Sequence, residues 1–226
     1  MNTILELKNI SKTFYDNKEP LSILENISLS IRKGESVAIT GPSGSGKSTI
    51  LHIASLLESP TSGKVIVEGN DTSAMSDKKR AELRGALFSF MFQNDPLFSS
   101  WSLEDNALLQ VILKRKVEMS DREKLQTLLE VLSLKGREKT KVKKLSGGEK
   151  SRVSLLRAIL SDASVMFLDE PTGSLDRDNA VLVENLIFEL SEKYGKTVIL
   201  VTHSKTMAER SDRIYEIKDK NLRCVK

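Results

Sequence analysis

The stretch GPSGSGKST at residues 41–49 follows the compact apolar run Val37 to Thr40 and opens a segment, from about Lys47 to Leu57, whose apolar residues recur at helical spacing. It satisfies the pattern G-x-x-x-x-G-K-[ST] after a strand and at a helix start, the setting in which that pattern has physical meaning. Phosphate oxygens need many donors converging on a small volume. Gly41, Gly44 and Gly46 let the backbone curl so that its N–H groups point inward, with Pro42, Ser43 and Ser45 completing the loop. The helix start adds unpaired N–H groups and a fractional positive charge. Lys47 is expected to bridge the β- and γ-phosphates of a nucleotide as a compact cation, Ser48 to give its hydroxyl to Mg²⁺, and Thr49 to bind on the α-phosphate side. A Gly/Ser connector with an accidental lysine would lack the flanking strand and helix.

A nucleotide site also needs a second metal anchor and a group that activates water. SVMFLDE, Ser164 to Glu170, reads as a buried strand that ends in two adjacent carboxylates. Neighbours on an extended chain point to opposite sides, so Asp169 and Glu170 are expected to do different work. Asp169 is assigned to the Mg²⁺ water shell and Glu170 to polarising the attacking water. Alone, such a pair would be read as a solvated loop.

The third element is LSGGEK, Leu145 to Lys150, ahead of SRVSLLRAIL, in which Val153, Leu156 and Ile159 carry helical spacing. Ser146, Gly147 and Gly148 therefore sit at a second helix N-terminus, where a hydroxyl and close-approach glycines suit another phosphate. A capped helix start after a turn explains the same residues equally well.

Outward from these motifs, the 226 residues carry 39% hydrophobic and 29% charged side chains with only 5 Pro, which excludes disordered and collagenous classes. The net charge of +4 is compatible with a phosphate ligand, an anionic surface or plain solubility. The single Cys224 cannot form an intramolecular bridge and is expected in a terminal strand of a protein from a reducing compartment. No apolar run approaches membrane-spanning length, and MNTILELKNI lacks a secretion signal, so a cytosolic location is expected. Strands are predicted at Ile4 to Ile10, Ile27 to Ile31, Val37 to Thr40, Val65 to Val67, Ser164 to Leu168 and Thr197 to Val201, and a helix at Asn179 to Leu190. From about Ser102 to Leu134 the pattern turns helical. Ser120 and Glu123 form a capping-box pattern ahead of Leu125, Leu128, Leu129 and Leu132, which share one helix face. The alternation of strands and helices predicts a mostly parallel sheet with helices on its faces.

The phosphate loop at 41–49, Gln93, LSGGE at 145–149, the acidic pair 169–170, LD at 175–176 and His203 occur in the order found in ATP-binding subunits of ABC transporters, and the chain resembles that family over essentially its whole length. The resemblance implies an α/β phosphate-loop NTPase fold. A nucleotide-binding core with an antiparallel β subdomain (1–92 and 162–226) would surround a helical subdomain (93–161) carrying the signature. It also implies ATP and Mg²⁺ as ligands and further roles: Gln93 reaching Mg²⁺ and sensing the membrane partner, Asp176 contacting a second copy, His203 contacting the γ-phosphate, and Phe14 stacking on adenine, with Tyr15 as the one-residue alternative. Phe14 stands where Tyr is more usual, Glu149 where Gln is usual. Asp219-Lys220-Asn221 replaces an Asp-Gly turn, with Asn221 expected to take the positive φ.

The same resemblance implies a head-to-tail homodimer. Each ATP would lie between the phosphate loop of one copy and Ser146 and Gly147 of the other, on the cytoplasmic face of the membrane. Phe88 to Gln93 and DEPTGSLD at 169–176 resemble the lipoprotein-releasing, macrolide and antimicrobial-peptide export group, which implies a separate permease. Asp95 to Leu109, with Phe98, Trp101 and Leu103, is the candidate docking surface, or else ordinary core of the insert. A GTPase is set aside because the only Asn-Lys pair, Asn17-Lys18, continues Glu19-Pro20 and not x-Asp. A nucleic-acid machine is set aside for want of a second cassette or a long coiled-coil insertion. Regulation of cell-division or cell-wall machinery through a membrane partner stays open as the alternative to transport.

Overall fold

A computed structural model describes residues 2–16, 19–92 and 96–226. Gln93 and Asp95, named above, lie outside the described residues.

The centre is a six-stranded sheet. Strands β3 (Ser36–Thr40), β6 (Phe88–Met91), β7 (Val165–Asp169), β8 (Thr197–Val201) and β9 (Arg213–Lys218) run parallel in the order β9-β3-β8-β7-β6, and β10 (Asn221–Cys224) closes the β9 edge antiparallel. Both faces of the central strands are covered, as their near-continuous apolar runs require. The two-residue period divides them between two cores. Val37, Ile39, Val165, Phe167, Ile199 and Val201 face one cluster, while Ala38, Met166, Leu168, Val198 and Leu200 face the other. The first cluster is closed by helix α1 (Lys47–Ala54) and by a second, antiparallel sheet in the order β2-β1-β4-β5, formed by β1 (Thr3–Asp16), β2 (Glu19–Arg32), β4 (Ser62–Val67) and β5 (Asn70–Asp71). The second is closed by helices α3 (Leu103–Ala107), α4 (Leu109–Lys114), α5 (Met119–Val131), α6 (Gly147–Leu160), α7 (Arg177–Tyr194) and α8 (Lys205–Arg210). Helix α2 (Asp77–Leu87) buries none of its residues.

The mostly parallel sheet, antiparallel sheet and helical insert agree with the expected architecture. Several boundaries differ, for identifiable reasons. Strands β1 and β2 extend well beyond the predicted apolar cores because they pair with each other along most of their length, from Thr3↔Arg32 to Asp16↔Glu19. Helix α1 ends at Ala54, short of Leu57, because Leu56 adopts φ 61° and turns the chain out of the helix. The start of α5 is capped two residues before the predicted Ser120: Asp121, not Glu123, accepts the N–H of the cap residue Glu118 at 2.8 Å. The face Leu125, Leu128, Leu129 and Leu132 is buried as its spacing requires. At the β9–β10 turn the positive φ values belong to Asp219 (50°) and Lys220 (62°), while Asn221 opens the strand and donates from Nδ2 to the Asp219 carbonyl at 2.8 Å. Cys224 lies exposed in that terminal strand.

Candidate nucleotide site

Strands β3, β8 and β7 are neighbours, so their carboxyl ends bring three segments together, where parallel α/β sheets hold ligands. Residues 41–46 follow β3, Thr202 and His203 follow β8, and Asp169 and Glu170 end β7. A cavity of about 410 Å³ beside Gly41 and Pro42 is lined also by Thr202, His203 and Ser204.

The loop owes its shape to glycine. Gly41, Gly44 and Gly46 have φ of 147°, 75° and 97°. Close approach adds a second demand at Gly46, where a Cβ would stand 2.8 Å from Ile23 Cγ2 and Leu24 Cδ2 of β2. Helix α1 begins at Lys47 directly after Gly46. Lys47 is buried, 7% exposed, and its Nζ donates to the carbonyls of Gly41 (3.0 Å) and Pro42 (2.8 Å). Buried Ser45 Oγ has no hydrogen-bond partner among the described residues. The loop thus curls around its own ammonium group and leaves a hydroxyl unpaired.

Asp169 is buried at the end of a fully buried strand. Glu170 then adopts φ 50°, uncommon for a residue with a Cβ, and its N–H donates to Val201 O at 2.9 Å. Its Oε2 accepts the His203 N–H at 3.2 Å. His203 Nε2 lies 3.3 Å from Oε1 without a hydrogen bond forming, so among the described residues buried Oε1 has no donor. An acceptor left open this way has capacity for one more hydrogen, such as that of a water. Backbone strain of this kind collects at functional sites.

The hairpin of β1 and β2 brings Phe14 to this side: it pairs with Leu21, close along β2 to the Ile23 and Leu24 that touch Gly46. Phe14 is 41% exposed with Lys12 Nζ 4.7 Å above its ring centroid, whereas Tyr15, 72% exposed, points to the other face of the strand.

The signature residues are not brought to this place. Ser146 caps α6, accepting the Glu149 N–H at 3.3 Å, while Glu149 Oε2 accepts the Ser146 N–H at 2.8 Å. That backbone hydrogen bond foremost holds the Glu149 carboxyl below its ordinary range, and Arg137 pairs with it at 3.1 Å. Glutamate in place of glutamine therefore makes the reciprocal cap a charged one. A Cβ on Gly148 would meet Leu175 Cδ2 at 3.5 Å, one on Gly147 would meet nothing within 4 Å, and Ser151 Oγ lies 2.6 Å from Ser174 Oγ. The signature turn thus packs on the segment ahead of Asp176, and among the described residues none of its hydrogen bonds reaches residues 41–49. Asp176 caps α7, accepting from Asn179 N at 3.1 Å and Nδ2 at 2.7 Å, and the Asn179 side chain is the main cause of its lowered pKa. Of the candidate docking residues, Leu103 is wholly buried and belongs to the core, while Phe98 (48% exposed) and Trp101 (41%) stack with centroids 4.5 Å apart.

Sequence reasoning missed the buried Glu184 of α7, which accepts from Ser204 Oγ and Thr206 Oγ1, each at 3.2 Å. No spacing signal joins residues twenty or more apart on two different helices.

Comparison with known proteins agrees with this geometry. The family model described as ABC transporter matches residues 24–173. The lipoprotein-releasing system ATP-binding protein LolD of Ehrlichia ruminantium is 37% identical over 98% of this chain and 97% of its own length. The macrolide export ATP-binding/permease protein MacB of Mannheimia succiniciproducens is 38% identical over 96% of this chain, which spans only 33% of that relative. Among solved structures, a bacterial ABC transporter cassette in dimeric form superposes with a TM-score of 0.91 at 33% identity, covering 99% of both chains. A dimeric post-hydrolysis state bound to ADP and Pi gives 0.90 at 32%, again over 99% of both.

Proposed function

The chain belongs to the ABC transporter family, and from that membership we propose that it is the ATP-hydrolysing subunit of a transporter, closing as a homodimer on ATP to drive a separate membrane permease. The carrying observation is that the site is divided. The phosphate loop, Asp169, Glu170 and His203 converge at the carboxyl ends of neighbouring strands, while among the described residues Ser146, Gly147 and Gly148 on α6 share no hydrogen bond with residues 41–49. Among the described residues Gly147 and Gly148 donate no hydrogen bond, as expected for the first amides of a helix. Two copies placed head to tail supply each ATP with both halves.

In this reading Lys47 leaves the carbonyls of Gly41 and Pro42 for the β- and γ-phosphates, residues 41–49 cradle the phosphates, and Phe14 stacks on adenine. Ser48, Asp169 and Gln93 would hold Mg²⁺. A hydroxyl, one buried carboxylate and substrate oxygens suit a cation that binds few protein ligands, and no cluster of three or more acidic, His or Cys residues exists among the described residues. Mg²⁺ would neutralise charge developing on the phosphates. Glu170 Oε1, buried and without a donor, accepts a hydrogen of the attacking water, and His203 orients toward the γ-phosphate. Loss of the γ-phosphate removes the contacts that join the copies, and they part.

The relatives' names support an exporter or lipoprotein-release type of system, with the chain working at the cytoplasmic face. No helix among the described residues is long and apolar enough to cross a membrane. The exposed Phe98 and Trp101 pair supports docking of a permease there. The test is Glu170→Gln, which keeps one acceptor but removes the carboxylate. Mixed with ATP and Mg²⁺ it should bind nucleotide, turn over at least 100-fold more slowly, in line with loss of a general base worth roughly 10²–10⁴, and elute as a dimer. Turnover at the wild-type rate, or a strict monomer that hydrolyses ATP normally, would refute the proposal.

A further inference from the structure

We infer that Glu184 is a positioning residue for ATP hydrolysis, holding His203 in register with Glu170 by anchoring the residues after it to α7. The inference rests on the reading that His203 serves the γ-phosphate. Glu184 is 8% exposed, and among the described residues no Lys, Arg or His lies within ion-pair distance of it. Its partners are hydroxyls. Oε1 accepts from Ser204 Oγ and Thr206 Oγ1 at 3.2 Å, and Oε2 lies 3.3 Å from the same Thr206 hydroxyl. Ser204 Oγ and Thr206 Oγ1 are also 2.8 Å apart.

A buried carboxylate without a counter-cation is costly, and it persists where its hydrogen bonds determine a geometry that matters. Here the geometry is that of the β8 exit. Ser204 Oγ is already an acceptor, taking the Met207 N–H at 3.3 Å as the cap of α8, so its own hydrogen needs a further acceptor. The Ser204 N–H is fixed by Thr202 Oγ1 at 2.9 Å. Between these two restraints lies His203, whose N–H and ring both approach the Glu170 carboxylate. Helix α7, which carries Glu184, is capped by Asp176, the residue that ends the loop packed on the signature turn. Arg210 of α8 reinforces the same junction, donating to Asn185 at 2.8 Å and lying 4.5 Å over the Phe188 ring. Glu184 thus joins one rigid helix to both sides of the divided site: the segment facing the second copy and the histidine facing the γ-phosphate.

The experiment compares Glu184→Met, which fills the space without an acceptor, with Glu184→Gln, which keeps a carbonyl acceptor, and with His203→Ala and the Glu184→Met/His203→Ala pair. Steady-state ATPase is measured on the full chain. Glu184→Met should lower kcat at least tenfold while the KM for ATP moves less than threefold, and Glu184→Gln should restore kcat to within about threefold of wild type. In the pair, Glu184→Met should add no further loss, because residues that act through one another are not additive. If His203→Ala is slow but Glu184→Met turns over normally, or their losses multiply, the positioning role is overturned while the role of His203 stands. If His203→Ala itself keeps the wild-type kcat, the reading of His203 fails and this inference fails with it. Rescue by glutamine separates positioning from folding: equal defects in Gln and Met variants with lowered melting temperatures would reduce Glu184 to a packing residue.

Discussion

Replacing Lys47 by alanine tests the foundation of the site. The ammonium has two partners within its own loop, the carbonyls of Gly41 at 3.0 Å and Pro42 at 2.8 Å, and it is nearly buried. Pro42 is exposed and Gly41 partly so, so in the variant water can take up these carbonyls, and the change in fold stability should be small. In the proposed ATP complex the same two donors would meet phosphate oxygens. A charge-assisted hydrogen bond contributes about 1.5–3 kcal/mol, so losing two removes about 3–6 kcal/mol of binding. At about 1.4 kcal/mol per tenfold, that weakens the Kd by roughly 10²–10⁴. Titration calorimetry with ATP and Mg²⁺ measures it, and a thermal scan without nucleotide checks that the melting temperature is retained. An ATP affinity within threefold of wild type, in a folded variant, would mean that residues 41–49 do not hold the phosphates.

Ser146→Ala removes a helix cap worth about 0.5–2 kcal/mol of stability and, in each of the two shared sites, one donor to ATP bound by the other copy. Dimer dissociation measured by ultracentrifugation in the Glu170→Gln background should weaken by at least tenfold, while the affinity of the monomer for ATP stays unchanged; equal loss in the monomer would place Ser146 within its own chain's site. Gly63→Ala should destabilise by about 2–5 kcal/mol, combining left-handed strain with overpacking, because at φ 91° its Cβ would lie 2.4 Å from the Asn9 carbonyl oxygen; an unchanged melting temperature would contradict this. In acid, Asp121 is held by the two-pronged Arg115 guanidinium at 2.6 and 2.8 Å, which lowers its pKa from 3.8 to about 2. The stability it contributes is complete above pH 4 and is lost as pH falls through about 2, so Asp121→Asn should flatten the stability curve between those values in chemical denaturation.

What could be read from sequence follows the range of the forces involved. The phosphate loop was legible because curling a backbone around phosphates demands positive φ at fixed spacing, and Gly41, Gly44 and Gly46 satisfy it locally. Strands β7 and β8 were legible because burial on both faces leaves an uninterrupted apolar run. Boundaries set by distant partners were not. The tips of β1 and β2, with Phe14, Tyr15 and Leu21, are exposed, and pairing across the hairpin, not burial, extends them. Ser120 and Glu123 match a cap pattern, yet the chain caps α5 at Glu118 because Arg115 binds Asp121 and fixes it against the Glu118 amide. Lys220 at φ 62° defies local preference, since Lys220 Nζ reaches Glu25 at 3.1 Å and its carbonyl accepts the Glu25 N–H at 3.0 Å. Glu184 was invisible for the same reason: its partners are hydroxyls on another element.

The divided site bears on how hydrolysis can do mechanical work. A ligand shifts an equilibrium only by its differential affinity for the two states, and turning a mostly open population into a mostly closed one takes about 5.5 kcal/mol. In the proposed head-to-tail pair two ATP molecules are shared, so each would have to favour the closed state by roughly half of that. The signature turn presents the means. Glu149 N–H is taken by Ser146 Oγ and Lys150 N–H by Ser146 O, which leaves the Gly147 and Gly148 amides and the Ser146 hydroxyl hydrogen for a ligand. Two hydrogen bonds from such groups to a charged phosphate, at about 1.5–3 kcal/mol each, suffice per site. In the proposed arrangement those donors belong to the other copy, so they would bind the triphosphate only when closed and would lose their acceptor when the γ-phosphate leaves. Had Ser146 faced the phosphate loop of its own chain, the same bonds would strengthen ATP binding equally in open and closed states and could move nothing.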